Sequence, residues 1–177
     1  MEADLYAVCF GTFSLYRGGR LLKLPNKKSA ELLALLLSER GRAVRKAYAA
    51  ELLWPGTGPA HAMDSLYKVC AALRRLPGLP LQASRDTLWL DPARIDSDAA
   101  RFERLWRYRA VIGCCTAAIE LYTAPFLMNE YYEWSARAEA YYDMRYMELL
   151  SLAEQHFREA GDRAAARYYR RLLEDFS

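Results

Sequence analysis

The sequence predicts an α+β N-terminal half followed by an all-α C-terminal half, predominantly helical overall. Three observations carry this. The run LYAVCFGTFSLY (5–16) is rich in the aromatic and β-branched residues that suit a sheet, and RGGR (17–20) follows it with glycines for a tight turn before LLKL. From Asp96 onward alternation gives way to helical periods. The charge changes with the pattern: up to Asp91 there are 13 Lys+Arg against 8 Asp+Glu, and beyond it 12 against 14, so halves of +5 and −2 hide within a net charge of +3. A basic half beside an acidic one suggests an anionic partner for the first and a different task for the second. The expected boundary separates residues 1–92 from 93–177.

Within the first part, Asn26 is placed to cap a helix running through SAELLALLLSE, with Gly41 closing its far end. Apolar residues wrap most of its circumference, which makes it a central, buried helix. A short second helix fits KAYAAELLW and stops at Trp54-Pro55-Gly56, because Pro55 disfavours helical geometry in the residue before it. The third helix spans about 60–76, HAMDSLYKVCAALRRL with the residue ahead of it. LPGLP then breaks the chain, and LQAS and TLWLD flank Arg85-Asp86 as a hairpin spanning about 80–91. In the second part the helical segments are DAARFERLWRYR, CTAAIELY, EYYEWSARAEAYYDMRYMELLSLAEQHFREAG and DRAAARYYRRLLEDF. Gly161-Asp162 supplies a turn and an N-cap between the last two, a helical hairpin of tetratricopeptide (TPR) kind, although one hairpin cannot display a 34-residue period.

The third helix has two distinct sides at about 100° per residue. Met63, Leu66, Val69, Cys70, Leu73 and Leu76 share one side and form the expected core face. His61, Asp64, Lys68 and Arg75 fall opposite, within a wedge of roughly 60°, with Ala71 between them and Tyr67 and Arg74 at one flank. A solvated face would also be polar, but element order argues for more: helix, turn, helix, then a hairpin tipped by Arg85 is the order of a winged helix-turn-helix, whose second helix enters the major groove of double-stranded DNA. Arg42, Arg45 and Lys46 crowd the start of the second helix, where free backbone N–H groups favour an anion, and are expected to anchor phosphates. Lys27 and Lys28 admit two readings, phosphate contact or mere solubilisation of a buried helix. Arg74 and Arg75 also suit the negative end of their own helix.

Other classes of function find little support. No apolar run reaches the roughly 18–20 residues of a membrane span, and MEADLYAVCF carries acids where a secretory signal has a basic lead, so the cytoplasm is the expected compartment and no membrane partner is expected. Cys9, Cys70, Cys114 and Cys115 lack the spacing of zinc ligands or of ordinary disulfides and are expected to be buried thiols, with redox sensing by the vicinal pair as the alternative. No metal site, cofactor or catalysis is expected: His61 and His156 belong to no metal motif, and Gly18-Gly19 fits a hairpin turn rather than a phosphate loop. The aromatics of the second half, Tyr131, Tyr132, Trp134, Tyr141, Tyr142, Tyr146, Tyr168 and Tyr169, are expected to pack helices together, with a partner-binding groove as the alternative.

FGTFSLYRGGR, KSAELLALLLSERGRAV, ELLW and LRRL, and then DAARFERL, ELYTAPFL, EYYEW and AGDRAAARYYRRLLE, run in an order that resembles the bacterial transcriptional activators of the antibiotic-regulatory (SARP-like) family. The resemblance covers nearly the whole chain. It implies an OmpR-type winged helix followed by a TPR-like bacterial transcriptional activator domain. It further implies binding to DNA and recruitment of RNA polymerase; self-association of the helical half, as a homodimer, is the other expectation. Ala71 and Ala72 stand where the family often has a hydroxyl and a basic residue, Ala124 where glycine is common, and Glu139 where arginine is frequent; relatives usually continue past Ser177. The expectation is a sequence-specific regulator in which Arg42, Arg45, Lys46, Arg85 and some of Lys68, Arg74 and Arg75 neutralise phosphates while His61, Asp64, Tyr67 and Lys68 probe base edges. Its rival is a protein-interaction adaptor with a degenerate winged helix that has lost DNA.

Overall fold

The computed structural model describes residues 4–176, a mixed α/β chain that is predominantly helical. It forms two compact units. The first comprises residues 4–9, 13–97 and 132–134, and the second residues 10–12, 98–131 and 135–176.

The first unit opens with β1 (Leu5–Val8), β2 (Ser14–Arg17) and β3 (Arg20–Leu21). Gly18 and Gly19 both hold positive φ, 53° and 77°, as a two-residue turn matched to strand twist demands. β1 pairs antiparallel with β2 and parallel with β7 (Ile95–Ser97), so the sheet order is β3-β2-β1-β7. Strand β7 corrects the expectation that helical periods alone remain from Asp96. Ile95 and Ser97 are buried while Asp96 between them is half-exposed, an alternation too short to read without its partner.

α1 (Lys27–Ser38) begins where Asn26 Oδ1 accepts the Ser29 N–H at 2.8 Å, and Leu32 through Leu36 are all buried, so the expected central helix is present. Glu31 is buried on it. Its carboxylate accepts from Lys28 Nζ at 2.7 Å and from Trp134 Nε1 at 3.2 Å. Lys28 also donates to the Leu53 carbonyl and stands over the Trp54 ring, which binds it to the interior of this unit. Around α1 lie α2 (Lys46–Leu53), α3 (Pro59–Arg74) and a three-stranded sheet ordered β4 (Val44–Arg45), β6 (Thr87–Leu90), β5 (Leu81–Ala83). Pro59 starts α3 in the first turn, where its missing N–H costs nothing.

The second unit packs α4 (Asp98–Trp106), α5 (Ile112–Leu121), α6 (Ala136–Glu159) and α7 (Arg163–Phe176) each against the next. The turn between α6 and α7 follows expectation, with Gly161 at φ 80° and Asp162 Oδ1 accepting the Ala165 N–H at 3.0 Å. The long helix expected from Glu130 starts later. Tyr131 holds φ 55°, which no helix tolerates, and a 3-10 turn at Glu133–Ser135 precedes α6.

At the centre of this unit stands Phe10, with ring centroids 5.5 Å from Phe102, 5.0 Å from Tyr122 and 5.3 Å from Tyr142. The Phe10 N–H is held by Asp98 Oδ2 at 3.0 Å. Tyr122 stacks on Tyr146 at 4.1 Å, and Phe157 on Tyr169 at 5.5 Å. Tyr142 and Tyr146 are buried; Tyr131 and Tyr168 are exposed. Interdigitated rings therefore account for most of the aromatics in the second half.

Because Phe10 fills a space lined by rings from α4, α5 and α6, Phe10→Ala should lower stability by about 3–5 kcal/mol, read as a shifted urea midpoint in near-ultraviolet circular dichroism. A fragment starting at residue 93 lacks this ring and should melt without a cooperative transition, even though it contains all four helices.

Candidate nucleic-acid interface

α3 owes its two faces to its sequence period. Ala62, Leu66, Val69, Cys70 and Leu73 are buried, and His61, Asp64, Tyr67, Lys68, Ala71, Arg74 and Arg75 are exposed. Met63 and Leu76, expected in the core, are half-buried, and Leu76 lies beyond the end of α3. His61, Asp64, Lys68, Arg74 and Arg75 make no ion pair with any other described residue. The outer face is therefore cationic and unneutralised except by Asp64. Beneath it, burial pushes the Cys70 thiol up, and the charges of Arg74 and Lys46 pull it partly back.

The hairpin of β5 and β6 turns at Ser84–Thr87. The Ser84 hydroxyl accepts the Thr87 N–H at 3.1 Å and pairs with the Thr87 hydroxyl at 2.7 Å, while the Ser84 N–H donates to the Thr87 carbonyl at 3.0 Å. Arg85 lies at the tip, exposed and without an ion pair among the described residues. β4 joins the same sheet, pairing Val44 with Leu88 and Arg45 with Thr87, which sets the start of α2 against the hairpin.

The three cations expected at that start differ in their surroundings. Arg45 is exposed, forms the N-cap of α2 and has no ion pair among the described residues. Arg42 is exposed but tied to Glu39, donating from Nη2 to the carboxylate at 3.0 Å and from Nε to the backbone carbonyl at 3.2 Å. Lys46 is half-buried. Its ammonium donates to the carbonyls of Ser84 at 2.7 Å and Arg85 at 2.9 Å and stands 5.6 Å from the Tyr67 ring centroid. Its backbone N–H donates to the Asp86 carbonyl at 2.8 Å.

The structure thus brings Arg45, Lys46 and Arg85 into one segment through β4 and β6, and joins Tyr67 of α3 to it through Lys46. Sequence reasoning missed Ser84 and Thr87, which fold the hairpin tip; the signal was the Ser-x-x-Thr spacing around Arg85-Asp86, a side-chain-bonded turn.

Among the described residues no group of three or more His, Cys, Asp or Glu side chains is placed to hold a metal ion, and no helix is long and apolar enough to cross a membrane. No disulfide joins any of the four cysteines. Cys9, Cys70 and Cys115 are buried, whereas Cys114, expected buried, is half-exposed because α5 presents it away from the side on which Cys115 packs. Cys115 Sγ donates to the Leu149 carbonyl, and burial together with the Glu148 charge pushes its thiol up to about 11. The two neighbours differ in access, so a thiol reagent at pH 8 should label one cysteine quickly per native chain. Cys114→Ser should abolish that fast phase, whereas Cys115→Ser should leave it intact, as mass spectrometry of the labelled chain would show.

No family model matches the chain, and no curated protein matches it. A solved structure does: Mycobacterium tuberculosis EmbR in complex with a low-affinity phosphopeptide superposes with a TM-score of 0.76 at 20% identity, over 93% of this chain and 48% of that one. The chain spans about half the length of the structure it matches. At that identity the likeness is one of fold.

Proposed function

We propose that the chain is a sequence-specific DNA-binding transcriptional regulator. One observation carries the reading: α3 holds its apolar residues inward and offers Lys68, Arg74 and Arg75 to solvent without partners, around exposed Ala71, which leaves room for close approach. The fold shared with EmbR supports it. On this reading the first unit is an OmpR-type winged helix, with α2 and α3 as its helix-turn-helix and the hairpin of β5 and β6 as its wing. The second is a TPR-like activator domain serving self-association or contact with RNA polymerase.

α3 enters the major groove. His61, Asp64, Tyr67 and Lys68 meet base edges there; Asp64 accepts from a cytosine amino group. Arg45, Arg74, Arg75 and Arg85 neutralise phosphates, and Arg42 joins them by exchanging Glu39 for a phosphate. Phosphate contacts fix register without reading sequence, so the choice of site falls to the first half of α3.

Asp64 favours a second reading. An unpaired carboxylate on the exposed face repels phosphate, as an adaptor that has lost DNA would tolerate. Salt dependence separates the two. With five phosphate contacts, the logarithm of affinity for random duplex should fall with the logarithm of salt concentration at a slope of about −4 to −5. An adaptor shows no association at any salt. Reversing both Lys68 and Arg75 to Glu should weaken binding roughly 100-fold or more at low salt, with the thermal midpoint unchanged because neither side chain has a folded-state partner. Unchanged affinity would assign the face to some other task.

A further inference from the structure

We infer that Lys46 is a positioning residue that clamps the wing to α3, rather than a phosphate contact, an inference that rests on the DNA-binding reading above. An ammonium offers three N–H donors and no acceptor. Two of them are spent on consecutive carbonyls of the hairpin tip, those of Ser84 and Arg85, and the charge also faces the Tyr67 ring. The next carbonyl, that of Asp86, is taken by the Lys46 backbone N–H. Three successive carbonyls of the wing turn are thus bound by one residue, which itself begins α2 and leans on α3.

This arrangement does what a phosphate anchor cannot. Turning the three carbonyls towards Lys46 fixes the peptide planes on either side of Arg85, and so fixes the base from which the Arg85 side chain extends. The ring contact ties that base to Tyr67, on the flank of the face that meets DNA. The spacing between wing cation and α3 is then set before any DNA arrives, and ordering it adds no cost on binding. With two donors held by carbonyls, Lys46 has a single N–H left to offer a phosphate, whereas exposed Arg45, Arg74, Arg75 and Arg85 have no side-chain ion pair among the described residues.

Lys46→Met keeps the apolar stem and removes the donors and the charge. Two measurements on the whole chain test the clamp. In the free protein, amide hydrogen exchange at Ser84, Thr87 and Lys46 should speed up about ten-fold while the amides of α1 keep their protection, which also verifies that the variant folds. With random duplex DNA, affinity should fall about ten-fold through loss of preorganisation while the salt slope stays that of the unaltered chain. Arg85→Met, a true phosphate contact on this reading, should instead make the slope shallower by about 0.9. Lys46→Arg, which retains charge with a different donor geometry, should recover part of the exchange protection.

Unchanged exchange at the wing in Lys46→Met overturns the clamp, and so does a slope shallower by about 0.9 in that variant, the mark of a lost phosphate. The exchange measurement uses no DNA. Absence of binding by the unaltered chain would therefore remove the DNA-binding reading alone, with the clamp judged on exchange.

Discussion

Leu32 through Leu36 lie out of water on every side of α1, and a helix so buried has to be enclosed by elements that turn their polar sides outward. α2, α3 and β6 do the enclosing. This fixes the rotation of α3: Leu66, Val69 and Leu73 must face inward, and at helical period that leaves Asp64, Lys68, Ala71 and Arg75 no other side. The exposed cationic face is thus a consequence of the central helix before it is a property of α3. Glu31 shows the same constraint in polar form. A carboxylate on the buried side of this helix needs partners within the unit, and Lys28 and Trp134 supply them.

Cations of the first unit that composition cannot separate consequently differ in their surroundings. Lys28 and Lys46 are turned inward, onto Glu31 and Leu53 in one case and onto Ser84, Arg85 and Tyr67 in the other. Arg45, Lys68, Arg74, Arg75 and Arg85 hold no partner among the described residues. Counting basic residues treats all of them as equivalent, although the first group is engaged by the fold and the second is not.

What could be read in advance was local. The Asn26 cap, the Gly18-Gly19 turn, the halt after Leu53 ahead of Pro55, the hairpin around Arg85 and the two faces of α3 each depend on residues within a turn or two of one another. What escaped depends on distant pairing. β7 is a strand because Ile95 lies beside Leu5, ninety residues away, and three residues alone show no period. Phe10 belongs with the rings of α4, α5 and α6 although it sits in a run that otherwise reads as strand. The late start of α6 follows from the positive φ of Tyr131, which nothing in its side chain announces. Lys46 was noticed for its charge and its place at a helix start; the carbonyls it binds lie nearly forty residues on.

Electrostatic attraction to DNA is nonspecific in itself, since every duplex carries the same phosphates. Selectivity requires that the cations be held at fixed separations, so that one register satisfies all of them while the base-facing side chains sit over particular edges. In this fold the separations have separate physical origins. Along α3 they follow from helical rise, which no surface substitution alters. Between α3 and the hairpin they follow from the β4 to β6 pairing and from one ammonium bridging two carbonyls and a ring. The first is rigid by construction, and the second is as rigid as three contacts of one flexible side chain make it. On the DNA-binding reading, the joint that Lys46 closes is where the surface would adjust to differently shaped duplexes.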